Sequence, residues 1–231
     1  MSFSISSRVI SRAWVCVVTT IFGLFSPVIS GELDWSSHRF ILSEHEFRID
    51  LPKSESLEFP VKRVKETADI NDLSNYESWS KAIQLFDKYW DYRQRWTFGS
   101  VGSLRINAMV RLSSNEFDAT AVNSTGSAHA MKEDVRRRSR IKQSMALGSL
   151  GVSSINFSLR NLNGKNWFQY AEENVDIYVT EIDDRHYLEI RFLFINNSRD
   201  GKTDWRQRAT SDEMKVMNSV VFRNHPSLSN Q

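Results

Sequence analysis

Five histidines, His38, His45, His129, His186 and His225, are the side chains best suited to moving protons near neutral pH, and none belongs to an H-E-x-x-H or H-x-H pair. Zinc needs clustered ligands, so these spacings offer no metal site. His186 follows closely on Asp183 and Asp184, at a turn between two strand-like runs. A histidine beside a carboxylate can act as an acid–base pair. Polar residues decorating a β-turn produce the same pattern with no chemistry. Gly99-Ser100-Val101-Gly102 lacks the lysine of a P-loop and the second half of a dinucleotide fingerprint, and reads as a turn. Gly-x-Ser-x-Gly is absent, which leaves a hydrolase of the nucleophile-elbow kind unsupported. Folding could pair Asp87 with Asp91, but nothing in their spacing requires it. The expectation is no catalytic residue, no cofactor and no metal.

The strongest charge cluster is Arg136, Arg137, Arg138, Arg140 and Lys142, on a stretch where turn residues at 123–126 and Gly148 bracket a helix over 127–147. Guanidinium groups grip carboxylate and phosphate through paired hydrogen bonds, so these five are the candidate contacts for a protein partner or an anionic surface. A solvated helix face is the alternative. Glu133 and Asp134 stand four residues before Arg137 and Arg138, the favoured order for helical ion pairs, and Met131, Val135, Ile141 and Met145 keep part of the other face apolar. The aromatic set Trp79, Tyr89, Trp90, Tyr92 and Trp96 could stack on a sugar, but most of it has helical spacing, which favours core packing.

The elements that must position these residues follow from periodicity. Phe47, Ile49 and Leu51 alternate with charged neighbours up to Pro52, a half-buried strand preceded by an extended stretch at 40–42. Tyr76, Trp79, Ile83, Phe86 and Trp90 recur at spacings of three and four, and with Ser74 and Glu77 as a capping box they predict a helix beginning near Ser74, its end left open by the strand-prone aromatics of Tyr89 to Trp96. A short strand is expected around 59–64. Leu104, Ile106, Ala108, Val110 and Leu112 make an alternating strand. The last third reads as an antiparallel meander: strands at 152–162 and 166–170 joined by Asn163-Gly164, then 175–179, a turn at Asp183-Asp184, and a long return at 186–195 with apolar residues on both faces. Thr210 and Glu213 make a second capping box for a helix to about Asn218, and 220–222 closes as an edge strand. The fold class expected is α+β, a mostly antiparallel sheet with helices packed on it.

The first thirty residues carry Arg8 and Arg12, no acid, and an apolar run at 13–25 that ends before Pro27. That layout predicts a signal peptide cut after Ser30, its core too short for a membrane-spanning helix. A tether at 31–39, one domain at 40–223 and a loose tail at 224–231 would follow. The chain has 30 basic and 28 acidic residues, so loss of the two arginines leaves 28 of each. A neutral domain has no global field to draw it to nucleic acid. Cys16, the only cysteine, leaves with the leader, so the remainder forms no internal disulfide. An exported domain without disulfides points to a bacterial periplasm.

The strand ending Phe47-Arg48-Ile49-Asp50-Leu51-Pro52, the pair at 175–181 and 187–194, and the closing Glu213-Met214-Lys215-Val216-Met217-Asn218-Ser219-Val220-Val221-Phe222 resemble the PsbP-like superfamily, including exported bacterial DcrB-like proteins. The resemblance covers the two ends of the mature chain and implies an α/β/α sandwich with a binding or accessory role; it carries over no functional residue. The function expected is therefore an exported, non-enzymatic accessory protein that binds another envelope protein, one version being an immunity protein against a secreted toxin. Membrane contact would come only through the leader or an anionic surface. The competing classes are an envelope hydrolase using carboxylates or the Asp183/His186 neighbourhood, and a binder of lipid or another small ligand.

Overall fold

A computed structural model describes residues 34–53, 64–78, 80–93, 100–113, 127–147, 155–197 and 204–224, with side chains of 127 and 142–147 excepted. The leader, Trp79, Trp96, His225 and most of the strand expected at 59–64 lie outside the described residues; Val64 itself is not in a strand. Among the described residues no helix is long and apolar enough to cross a membrane.

Among the described residues ten strands form two sheets, with two α-helices. In the first sheet β1 (Trp35–Leu42) and β2 (His45–Pro52) form a hairpin, β3 (Thr67–Ala68) runs parallel beside β1, and β10 (Val221–Asn224) closes the far edge against β2. The second sheet has the order β4 (Ala82–Arg93), β5 (Ser100–Leu112), β9 (His186–Asn196), β8 (Val175–Glu181), β7 (Lys165–Glu172), β6 (Ser158–Leu162), antiparallel throughout. The protein is thus α+β with strand dominant. A second sheet lies beyond what periodicity alone predicted.

Alternation decides which side each residue of the six-stranded sheet serves. Leu104, Ile106, Ala108 and Val110 of β5 pair with Phe194, Phe192, Ile190 and Leu188 of β9, and all are buried. This inward face carries the four-stranded sheet, through Phe40 on Phe86 and Phe222 on Trp167, and helix α2 (Asp204–Ser219). Trp205 of α2 lies flat against Gly102: a Cβ there would sit 2.2 Å from the indole. Each such fully buried large side chain contributes about 2 kcal/mol of transfer free energy. Helix α1 (Ser127–Leu147) packs on the opposite, outward face, setting Met131 and Val135 against Tyr170, Ile177, Val179 and Tyr187.

The helix expected from Ser74 is corrected: Leu73–Asn75 is one 3₁₀ turn capped by the Asp72 carboxylate, and Ala82–Arg93 is strand β4. The spacing misled for a geometric reason. A bulge between Gln84 and Phe86 shifts the strand by one residue, so Ile83 and Phe86, three apart, share the inward face, and Trp90 follows four further on at twice the strand period. Lys81, at φ 50°, also breaks any helix there. Trp90 and Tyr92 still join the core, as strand residues. Helix α2 begins at Asp204 rather than Thr210, so Thr210 and Glu213 are helix-interior residues and not a cap. Of the strand expected at 152–162, only Ser158–Leu162 is strand among the described residues. The helix at 127–147, the Asn163-Gly164 hairpin, with both residues at positive φ, and the long β9 stand as expected.

Candidate functional site

Helix α1 covers only part of the outward face, over β7 to β9. Toward β4 and β5 that face forms a cleft of about 540 Å³, floored by Gln84, Arg105, Asn107, Met109, Arg111, Arg191 and Leu193, with Glu77 and Glu173 at its rim. The same alternation that points Leu104 to Leu112 inward points Arg105, Asn107, Met109 and Arg111 outward. Register then builds rows across the floor. Asp87, Asn107 and Arg191 form one row; Tyr89, Arg105 and Leu193 form the next.

Most charges here are locked in pairs. Arg105 donates through Nε and Nη2 to Asp87, at 2.7 and 2.5 Å, with its guanidinium 4.9 Å from the centre of the Tyr89 ring. Glu189, 1% exposed, lies between two arginines: Arg138 Nη2 donates to its Oε2 at 2.7 Å, and Arg111 Nε is 3.2 Å from the same oxygen. Burial alone would push this carboxyl up, but Arg111, Arg138 and Arg191 outweigh it and hold the group down at about 2. Arg111 also donates to the Ser80 carbonyl at 2.7 Å. Tyr187 donates to Asp134 at 2.6 Å and accepts from Arg138 at 2.6 Å, and full burial pushes its phenol well up.

The arginine helix divides. Arg138 turns inward and joins Asp134, Tyr187 and Glu189, whose charges hold its guanidinium well up against the cost of burial. Arg137 reaches Asp134 at 2.8 Å from the solvent side, and Arg136 pairs with Glu133 and lies over the Phe157 ring. Arg140 is exposed, and the Lys142 side chain lies outside the described residues. The structure therefore brings Arg138 to the network beside the cleft and leaves Arg136, Arg137 and Arg140 on the helix's outer side.

Asp183 and His186 do meet, with Nδ1 2.8 Å from both carboxylate oxygens. Asp183 accepts the backbone N–H groups of Arg185 and His186 as well, and lies 3.3 Å from His45 Nε2. Burial raises this acid, but His186 and those N–H groups outweigh it and bring it to about 2. His186 is 2% exposed under the Tyr76 ring, away from the cleft. The pair acts as a tie between the β8–β9 turn and β2. His38 approaches Glu66 and Ser36, and His129 is exposed on α1. Among the described residues no three metal-ligating side chains cluster.

The residues that line the cleft, Arg105, Asn107, Arg111 and Arg191, escaped sequence reasoning. Their signal lay in the polar half of two strands whose apolar half defined the core: Arg105, Asn107 and Arg111 on one and Arg191 on the other follow the polar-out alternation that an ordinary solvated sheet face also gives. No protein-family model matches the chain, and no curated protein does either.

Proposed function

We propose that the chain is an exported, non-enzymatic binding protein of the bacterial periplasm that holds a protein partner on the outward face of the six-stranded sheet. The observation that carries the reading is the cleft beside α1, two of whose floor arginines, Arg105 and Arg111, are fixed by the buried acids Asp87 and Glu189. Glu189, held at about 2 between Arg111 and Arg138, is poorly matched to proton transfer near neutrality but well suited to fixing two guanidinium groups in place. A rigid, polar floor with apolar patches is what a specific protein contact needs. An immunity protein against a secreted toxin is the version of this role we favour. A PsbP-like sandwich belongs to the same reading, supported by the strand ending at Pro52 pairing with the closing 221–222 stretch, and by helices on opposite faces of the larger sheet.

The test is expression of the tagged full chain in its own host, with fractionation, N-terminal sequencing, and size-exclusion analysis of what co-purifies. A mature N-terminus at Gly31 in the periplasmic fraction, with a stoichiometric protein complex, is expected. An intact N-terminus on cytosolic protein, or a partner-free monomer from every fraction, would overturn it.

A further inference from the structure

The last strand of a sheet offers unpaired backbone groups, and proteins block such edges with charge, shortness or cover. Among the described residues, three of the four sheet edges are blocked. Strand β3 is two residues long, β10 is four residues long and carries Arg223, and β4 meets the Lys65 N–H, which donates to the Leu85 carbonyl at 2.7 Å. Strand β6 is open. It has no proline and no bulge, Ser158 to Asn161 are exposed, and Leu159 is 61% exposed. Its polar side chains turn back onto β7: Ser158 Oγ donates to the Gln169 carbonyl at 3.3 Å, Arg160 Nε to Gln169 Oε1 at 3.1 Å, and Asn161 Nδ2 to Asn166 Oδ1 at 3.0 Å. The one charge that could guard this edge is thereby drawn off it, and Leu159 is left there.

The hairpin fixes which backbone groups are free. Asn163 and Gly164, both at positive φ, make a two-residue turn, so Leu162 and Lys165 on either side of it form a hydrogen-bonded pair. Alternation extends this to Arg160 with Trp167 and to Ser158 with Gln169. The N–H and C=O groups of Leu159 and Asn161 therefore point away from β7, and no described residue bonds to them. A second β6 is complementary to this edge in one register. Parity lets Leu159, Arg160 or Asn161 lie on its own two-fold counterpart. Arg160 on Arg160 sets like charges directly opposite each other, and Asn161 on Asn161 runs Leu159 into the turn residue Asn163. Leu159 on Leu159 pairs Arg160 with Ser158 instead. It also joins two exposed leucines, each already beside Phe168, whose ring meets Phe157 edge-on at 6.5 Å. We infer that two copies of the chain pair antiparallel through β6, with Leu159 on the two-fold axis, and so join their six-stranded sheets into one. This goes beyond the partner reading, since the cleft lies toward β4 at the other edge of the sheet.

Sedimentation equilibrium on the full chain tests the dimer. A dissociation constant on the order of 10 μM is expected for so small an interface. Leu159→Lys, which restores the usual guard of an edge strand, should raise it about tenfold or more. Leu73→Lys, at a second exposed leucine on the 3₁₀ turn, should leave it unchanged. The register is tested by cysteine pairing in a Cys16→Ser background. Hydrogen-bonded antiparallel neighbours hold their Cα atoms about 5.5 Å apart, within the span of a disulfide. Leu159→Cys should therefore cross-link two chains on air oxidation, whereas Asn161→Cys, which faces Phe157 of the second copy, should not. Urea midpoints of each variant separate loss of pairing from loss of fold. A monomer at concentrations on the order of 100 μM, ten times the expected constant, would overturn the inference. So would a dimer that survives Leu159→Lys, or cross-linking at Asn161→Cys in place of Leu159→Cys. A monomer that instead holds a different protein, lost on Leu159→Lys, would give the edge to a partner's strand and equally overturn it.

Discussion

On the inward face of the six-stranded sheet, Glu213 of α2 is buried against Tyr178, which donates to it at 2.8 Å; on the outward face, Glu189 is equally buried but lies between Arg111 and Arg138. Burial dominates the first and, with the charge of Asp176, raises the carboxyl to about 7 against the pull of Tyr178 and Arg206. Burial is outweighed in the second, which sits at about 2. The inward face thus makes ionisation of its acid costly. The outward face keeps its acid charged by surrounding it with fixed cations.

Breaking the outward network should give the largest effect. Glu189→Gln leaves Arg111 without its counter-charge and Arg138 with Asp134 alone, and removal of one partner of a buried ion pair costs about 3–5 kcal/mol. Urea denaturation at neutral pH measures this; a loss under ~1 kcal/mol would show the network to be solvated. The pH dependence has a defined sign. Glu189 has a folded pKa below the ordinary 4.5, so its contribution is fully present above 4.5 and is lost as pH falls toward 2. The glutamine variant should lack that part of the acid limb.

Glu213→Gln should behave in the opposite way. Its folded pKa lies above the ordinary 4.5, so the penalty for ionising it is absent at low pH, grows from 4.5 to 7 and stays constant above. At about 1.4 kcal/mol per unit the full penalty is about 3 kcal/mol, and the glutamine variant escapes it. The difference in urea midpoint between variant and wild type should favour the variant at pH 8 and shrink toward pH 4.5. A difference independent of pH would mean that Glu213 is ionised in the fold at ordinary cost. The inward face can also be probed by volume. Gly102→Ala places a methyl against the Trp205 ring, and overpacking at such a contact costs about 2 kcal/mol, read as a lower thermal midpoint with the cleft unaltered.

How far the sequence revealed each face follows from the same contrast. The inward face is legible because Leu104 to Leu112 and Leu188 to Phe194 repeat an apolar residue at every second position, a signal that survives without knowledge of partners. Even there the bulge at Gln84 to Phe86 turned a strand into apparent helical spacing, since one extra residue makes a period of two imitate three and four. The buried run Trp205, Ala209, Glu213, Val216, Met217 carries the true start of α2, masked by the charged residues between them. The outward face is nearly illegible. Asn107 and Arg191 are 84 positions apart in sequence, and only the β5–β9 register brings them together. The arginine helix was visible as a cluster, but which arginine turns inward depends on Tyr187 and Glu189, which lie on another element.

That division within the helix gives the smallest and sharpest prediction. Arg137 and Arg138 both contact Asp134, yet Arg137 is half exposed while Asp134 is 4% exposed and keeps Arg138 and Tyr187 as partners. Arg137→Ala therefore removes a screened pair without stranding a charge, and should cost only about 0.3–0.5 kcal/mol, less in high salt. A loss several times larger, insensitive to salt, would mean that Asp134 depends on both arginines, and the outer side of α1 would then belong to the buried network rather than to solvent.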